Sequence, residues 1–431
     1  MTTRRPTPTG AGRPGLEEAE RVELTVDAVA PGGHCVARVD GQVVFVRHAL
    51  PGERVVAEIT ELHRGFARAE AVEILDAAPD RVEQPCPYAK PGRCGGCDLQ
   101  HVTPAGQLRW KTEVVREQLT RLGGLTGAQV DALGVTVAAL PGGPLGWRSR
   151  VRYAVDAAGR AGLLKHRSHE VVPIDRCLIA HPAIQELPVL TGSGARWPDA
   201  EAVETVASTG GDVTVATVTE GATAAVRGPD RVRERAAGRE WSLPATAFWQ
   251  VHPAAADTLI DAVLELTDPQ PGERAWDLYG GAGLFAAALA GRVGDAGRVV
   301  LVEAAGDGVA AARENLGDLP QVEVVAARVE TALARRRITG PVDVVVLDPP
   351  RSGAGAAVVR ALLAAGPRAV AYVACDPAAF ARDVRTVTAA GWRLAALRGY
   401  DLFPMTQHVE LVGLFLPGDD PRSGRGVSRG R

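Results

Sequence analysis

From about Thr246 to Pro417 the chain alternates short apolar runs with amphipathic stretches, and this rhythm constrains the fold more than any other feature. "RAWDLYG", "RVVLVE", "VEVVAA", "VDVVVLD" and "AVAYVAC" read as strands. "GLFAAALA", "GDGVAAARENL", "RVETALARR", "AGAAVVRALLAAG" and "AAFARDVRTVTAAG" read as helices, and "VELVGLFL" as a last strand. Strands that alternate with helices of about ten residues imply an α/β fold built on a parallel, doubly wound sheet. In such sheets the ligand crevice lies at the carboxyl ends of the strands. The motifs of chemical interest in this half of the chain fall at that rim.

The first is "DLYGGAG", Asp277 to Gly283. Gly281 and Gly283 let the backbone approach a ligand, and the following helix supplies free N–H groups. Glu303 ends the next strand, where an acid accepts both hydroxyls of a ribose. This pattern points to an adenosine-type cofactor and does not choose NAD from S-adenosylmethionine. The second is "LDPPRSG", where two prolines stiffen the loop that carries Asp348. The third is Cys375, ending the fifth strand. A helix starting near Pro377 is expected to favour its thiolate through the helix dipole. The fourth is "HVELV", with His408 and Glu410 at the start of the last strand.

The N-terminal part differs. From Arg21 to about Leu75 short alternating runs are separated by turns at Pro31-Gly32-Gly33, Asp40-Gly41 and Pro51-Gly52. This predicts a five-stranded small barrel, a fold that often binds nucleic acid on a strand face. A helix is expected over "QLRWKTEVVREQLTRLGG", with Leu108, Val115, Leu119 and Leu122 on one face and a stop at Gly123-Gly124. Residues 145 to about 240 read as mixed strands. There Arg148, Arg150 and Arg152 alternate as candidate RNA contacts or as a solvated face. The expected divisions are a disordered tail 1–18, a barrel 19–76, a mixed α+β central domain 77–244, the α/β domain 245–417 and a second tail 418–431.

Cys86, Cys94 and Cys97 lie within one Gly/Pro-rich loop, with Cys177 far downstream. The spacing suits a four-thiolate zinc site or an iron–sulfur cluster and does not decide between them. No signal-peptide pattern and no long apolar span is present, which predicts a cytoplasmic protein without a membrane partner. A reducing compartment favours metal or catalytic uses of cysteine over disulfides. Net charge is −3, and of 48 Lys and Arg only Lys90, Lys111 and Lys165 are lysine. That excess of arginine runs along the whole chain rather than one face, so it does not by itself mark a polyanion site.

Taken together, these residues resemble the RNA 5-methyluridine methyltransferase family, over Arg21 to Pro417. "GGHCVARVDGQVVFVRHALPGERV" looks like the TRAM barrel that begins many members. The resemblance implies a Rossmann-like methyltransferase sheet, S-adenosylmethionine as cofactor and RNA as partner, ribosomal rather than transfer RNA. It makes Cys86, Cys94, Cys97 and Cys177 the ligands of a 4Fe–4S cluster. It places Gln250 of "FWQVHP", Tyr279, Gly281, Gly283, Glu303 and Asp348 on the cofactor. It makes Cys375 of "ACDP" the nucleophile and Glu410 of "FPMTQHVE" the base. Arg328 stands where the family carries an acid or amide near the adenine. No obligate protein partner is evident, and a monomer is expected. Two other readings remain at this stage: a nucleobase amino-group methyltransferase that uses Asp348-Pro-Pro without Cys375, and a non-catalytic RNA-binding protein.

Overall fold

A computed structural model describes residues 16–418. The tails expected at 1–18 and 418–431 lie almost wholly outside the described residues. The chain divides into two compact units, one ending at Arg81 and one beginning at Val82.

The first unit is a closed five-stranded barrel of β1 (Arg21–Ala30), β2 (His34–Val39), β3 (Gln42–Arg47), β4 (Arg54–Leu62) and β5 (Phe66–Asp76), in the order β1-β2-β3-β5-β4. Inward positions are small or β-branched: Ala37, Val44, Val46, Val55, Ala57 and Ala67 are fully buried. Such side chains fill the narrow interior of a small barrel. Asp40 and Gly41, both at positive φ, turn β2 into β3, as a two-residue hairpin requires. Glu53 is buried and accepts Leu50 N–H, Ala78 N–H and the Arg81 guanidinium, which fastens the segment after β5 to the barrel.

The second unit opens with α1 (Pro104–Arg121), α2 (Gly127–Leu133) and β6 (Val137–Ala139). A mixed region follows: β7 (Arg150–Val155), β8 (Ala161–Leu164), β9 (Val171–Pro173), the short α3 (Pro182–Gln185), β10 (Ala202–Ala207), β11 (Val213–Thr219) and β12 (Ala222–Arg227). Its sheet order is β12-β11-β10-β7-β8-β9, and β13 (Arg231–Ala236) with β14 (Arg239–Pro244) forms a separate hairpin. Then come α4 (Ala255–Thr267), β15 (Arg274–Leu278), α5 (Leu284–Val293), β16 (Arg298–Glu303), α6 (Gly306–Asn315), β17 (Val322–Ala326) and α7 (Val329–Ala334). β18 (Val344–Leu347), α8 (Gly355–Ala364), β19 (Ala369–Ala374), α9 (Pro377–Ala389), β20 (Trp392–Asp401) and β21 (Glu410–Pro417) complete the unit.

These last strands, with β6, make an eight-stranded sheet in the order β17-β16-β15-β18-β19-β21-β20-β6. It is doubly wound as expected. Val345, Leu347, Val370 and Tyr372 face one apolar core with α1, α2, α7, α8 and α9. Val344, Val346, Ala371 and Val373 face the other with α4, α5 and α6.

Three features depart from the sequence reading. The sheet is not wholly parallel, because β21 runs antiparallel to both β19 and β20. β20 was not recognised as a strand; its residues are mostly half-buried and lack the apolar run of the inner strands. α4, with Leu259, Ile260 and Val263 buried, was also missed. The turn from β20 to β21 returns the chain within eight residues, too short for a helical crossover, so the pair is antiparallel.

One buried carboxylate secures the loop after β18. Asp383 on α9 accepts Ala354 N–H at 2.9 Å, Gly355 N–H at 3.2 Å and the Tyr372 hydroxyl at 2.6 Å. Replacing Asp383 by Ala takes the acceptor from the buried Tyr372 hydroxyl and leaves Ala354 N–H with that hydroxyl alone. Asp383→Ala is expected to lower unfolding free energy by about 3 kcal/mol and Tyr372→Phe by about 1 kcal/mol, measured by urea unfolding.

Candidate active site and cysteine cavity

Four parallel strands deliver residues to one rim. Tyr279 follows β15, Glu303 ends β16, Asp348 follows β18 and Cys375 follows β19. Glu303 is half-buried. Its carboxylate accepts Gly281 N–H at 2.9 Å, Ala304 N–H at 2.7 Å and Ala305 N–H at 2.6 Å, which holds it against the glycine loop. Gly281 has positive φ and open space where a Cβ would stand. At Gly283, φ +99°, a Cβ would meet Leu316 at 2.5 Å, so only glycine brings the start of α5 this close.

Asp277 was not singled out from the sequence. It is fully buried; Oδ2 accepts Ala286 N–H and Oδ1 has no partner. Burial, opposed by that hydrogen bond and helped by Asp348 and Glu303, pushes its carboxyl up to about 7. Its only sequence signal is an acid inside an apolar strand. Tyr279 sits at φ +63°, and burial raises its phenol, with Glu330 adding to the shift. Arg328 is exposed at the N-cap position of α7, without a side-chain capping hydrogen bond, two residues before Glu330.

Gln250 is half-buried in the segment before α4. Arg150 holds this segment. Its guanidinium donates to the carbonyls of Ala245 and Ala247 and pairs with the buried Glu234. Val251 carbonyl accepts Ser149 N–H at 2.8 Å. The candidate role of Arg150 in RNA contact is therefore overturned, because its side chain is largely buried and both Nη groups are engaged inside the fold. Arg152 is exposed but paired with Glu204.

Cys375 and Glu410 meet because β21 is antiparallel. Ala374 pairs with Leu411, so the next residue on each strand, Cys375 and Glu410, stands side by side on the rim. Cys375 is half-buried and Glu410 is 4% exposed. Burial, followed by the charges of Glu410 and Asp348 and opposed by Arg351, pushes the Cys375 thiol up to about 11. This reverses the expectation of a dipole-stabilised thiolate: desolvation and two nearby acids outweigh the start of α9. Burial likewise raises Glu410 well above the carboxylate range, with Asp348 adding to it and Arg351 opposing. Desolvation pushes Asp348 up to about 7. His408 is driven down to about 4 by burial and the cations Arg351, Lys111 and Arg148, so it is neutral at pH 7. Lys111, 1% exposed, pairs with Asp401 at 2.6 Å and donates to the Phe403 carbonyl. It too was missed. A lysine on an amphipathic helix reads as surface until its partner on a distant strand is known.

Cys86, Cys94, Cys97 and Cys177 line one small apolar pocket, together with Leu163 and Ile179. Gly95 lets the loop pack on the turn after β8: a Cβ there would meet the His166 backbone at 2.5 Å. Among the described residues no three His, Cys, Asp or Glu side chains converge as ligands of a single ion would.

The strand order, the glycine loop and the acid ending the second strand define an S-adenosylmethionine-dependent methyltransferase fold. A family model described as "TRAM domain" matches residues 16–72, and one described as "tRNA (Uracil-5-)-methyltransferase" matches residues 230–418. An uncharacterised RNA methyltransferase of Streptomyces avermitilis is 48% identical, covering 92% of this chain and 98% of that protein. One of Corynebacterium efficiens is 36% identical, covering 93% and 96%. The Pyrococcus abyssi tRNA (uracil-54, C5)-methyltransferase, solved with S-adenosyl-L-homocysteine, shares the fold with TM-score 0.68 at 21% identity, covering 91% of this chain and 99% of that one. The chain belongs to the TRAM-bearing RNA uracil-5-methyltransferase family and is an S-adenosylmethionine-dependent enzyme. Among the described residues no helix is long and apolar enough to cross a membrane.

Burial first, and then the acids around Cys375, set its reactivity. Alkylation of Cys375 by iodoacetamide, followed by peptide mass spectrometry, is expected to rise with a midpoint near pH 11. Glu410→Gln removes a negative charge and is expected to move that midpoint down. A midpoint of an ordinary thiol in the native enzyme, or one indifferent to Glu410→Gln, would contradict this electrostatic account.

Proposed function

We propose that the enzyme methylates carbon 5 of a uridine in ribosomal RNA through a covalent Cys375 adduct. The observation that carries this reading is the pairing of Ala374 with Leu411, which sets a thiol and a buried carboxyl side by side on the cofactor rim. Gln250, Tyr279, Gly281, Gly283, Glu303 and Asp348 hold the methyl donor, which supplies an electrophilic methyl group. The Cys375 thiol gives its proton to solvent, its sulfur bonds to carbon 6 of the uracil, and the electrons of the 5,6 double bond pass into the ring as an enolate nucleophilic at carbon 5. Carbon 5 takes the methyl group as its bond to sulfur breaks and S-adenosylhomocysteine leaves, and Glu410, as the carboxylate, then removes the proton from carbon 5. The electrons left behind expel Cys375 sulfur from carbon 6 and restore the double bond. Burial suits Glu410 to this step, because a carboxylate with a raised pKa is a stronger base. The uridine leaves its stack to reach a half-buried thiol, which is easiest in a loop.

Cys86, Cys94, Cys97 and Cys177 hold a 4Fe–4S cluster with a structural role. Four cysteines lining one apolar pocket supply the thiolate donor set that such a cluster takes. The cluster ties the loop around Cys86 to Cys177. It has no redox task in methyl transfer.

The barrel and cysteine loop, added to the methyltransferase sheet, support a large folded RNA as substrate. Transfer RNA is the second reading. It is favoured by the description of the matching family model and by a tRNA-modifying enzyme that shares the fold over 91% of this chain. Labelled S-adenosylmethionine with unmodified ribosomal and transfer RNA pools distinguishes the two.

RNA containing 5-fluorouridine at the target is expected to trap a covalent complex, since fluorine cannot leave as a proton. Cys375→Ser is expected to abolish both the complex and turnover. A Cys375→Ser enzyme with full activity refutes the mechanism and favours amino-group methylation. The native protein is expected to absorb near 400 nm and to lose that band when Cys97 is replaced by Ala. A colourless protein with one zinc per chain would sink the cluster assignment.

A further inference from the structure

The eight residues between β20 and β21, Leu402 to Val409, deliver both His408 and Glu410 to the rim, and they are not held by their own strands. The centre of this loop is Met405, a non-glycine residue at φ +68° and 5% exposed. A side chain in that region is strained and persists only where its surroundings over-determine it. Here they do. Met405 carbonyl accepts Asp98 N–H at 3.0 Å and Leu99 N–H at 2.9 Å. Met405 N–H donates to Gln107 Oε1 at 2.8 Å, and Gln107 Nε2 donates to the carbonyls of Leu99 and Val102. Asp98 Oδ2 accepts Gln407 N–H at 3.2 Å. Asp98 and Gln107 are 8% and 1% exposed. Asp98 directly follows Cys97, and Gln100, three residues after Cys97, accepts Cys86 N–H. One short stretch, Cys97 to Gln100, thus faces the cysteine cavity on one side and grips the loop before Glu410 on the other.

We infer that Asp98 and Gln107 are positioning residues for proton abstraction, clamping Met405 and Gln407 so that Glu410 reaches carbon 5 of the adduct. The inference rests on the proposed role of Glu410. Neither residue touches the reacting atoms; each acts through the backbone of the loop. Nucleophilic attack depends on Cys375 after β19, which this clamp does not hold. Loosening the clamp therefore slows the elimination of Cys375 and leaves its formation of the adduct intact.

The experiment measures turnover and, on denaturing gels, the fraction of full-length enzyme covalently bound to target RNA at steady state with S-adenosylmethionine. Asp98→Ala and Gln107→Met are expected to lower kcat about tenfold, a part of what a general base contributes. They leave KM for S-adenosylmethionine unchanged and raise the covalent fraction toward that of Glu410→Gln. Asp98→Asn keeps an acceptor for Gln407 N–H and is expected to restore near-native values. Lost turnover without adduct build-up, or Asp98→Asn as impaired as Asp98→Ala, overturns the inference. Hydrogen exchange of the wild-type protein decides the matter if the variants fail to fold. Met405 and Gln407 amides are expected to be as protected as those of β21, and loop-like exchange overturns the clamp. If Glu410→Gln itself builds up no adduct, the proposed mechanism fails, while the exchange measurement still judges the clamp.

Discussion

The site depends on one register: β21 lies antiparallel between β19 and β20, with Ala374 opposite Leu411. A parallel last strand would send its first residue to the opposite edge of the sheet, far from the cofactor rim. The antiparallel direction brings Glu410 to the rim that already carries Asp348 and Cys375. A one-residue slip would turn Glu410 to the other face, because side chains alternate along a strand. The two apolar cores on either side of the sheet enforce the register, with Leu411 in one and Val412 in the other.

That arrangement places three groups that lose a proton to become anionic in a poorly solvated space. Asp348, Cys375 and Glu410 are each held toward their neutral forms, with burial the largest cause, and Arg351 opposes this at Cys375 and Glu410. The thiol is therefore not a standing thiolate in the free enzyme. A protected thiol is less exposed to oxidation and stray electrophiles, and a carboxyl of raised pKa is suited to take up a proton. The same low-dielectric setting keeps His408 neutral. It also makes Lys111 depend on Asp401, since a buried ammonium without its partner is strongly unfavourable.

Much of this was legible in the chain. The glycine loop, Glu303, Asp348 and Cys375 sit at predicted strand ends because local periodicity marks where each strand stops. The cysteines of one loop stand out by their spacing, and with Cys177 they line one pocket. Other parts were not legible for identifiable reasons. β20 lacks the apolar run of a strand buried on both faces, since it packs more thinly near the sheet edge. Arg150 looks like every other arginine in a chain that uses little lysine, and only Glu234 with the carbonyls of Ala245 and Ala247 reveals an internal strut. The polar face of α1, Gln107 and Lys111, reads as solvent-facing until the loop of residues 402–409 covers it.

The sequence by itself determined the doubly wound pattern, the barrel, the cysteine spacing and the strand ends at which Glu303, Asp348 and Cys375 stand. These follow from periodicities and spacings that are local to the chain. Only the tertiary structure decided the direction of β21, the meeting of Cys375 with Glu410, the raised thiol and the burial of Arg150, Lys111 and Gln107. Each of these depends on partners 35 to about 300 residues away, and neither strand direction nor desolvation can be read from the residues that experience them.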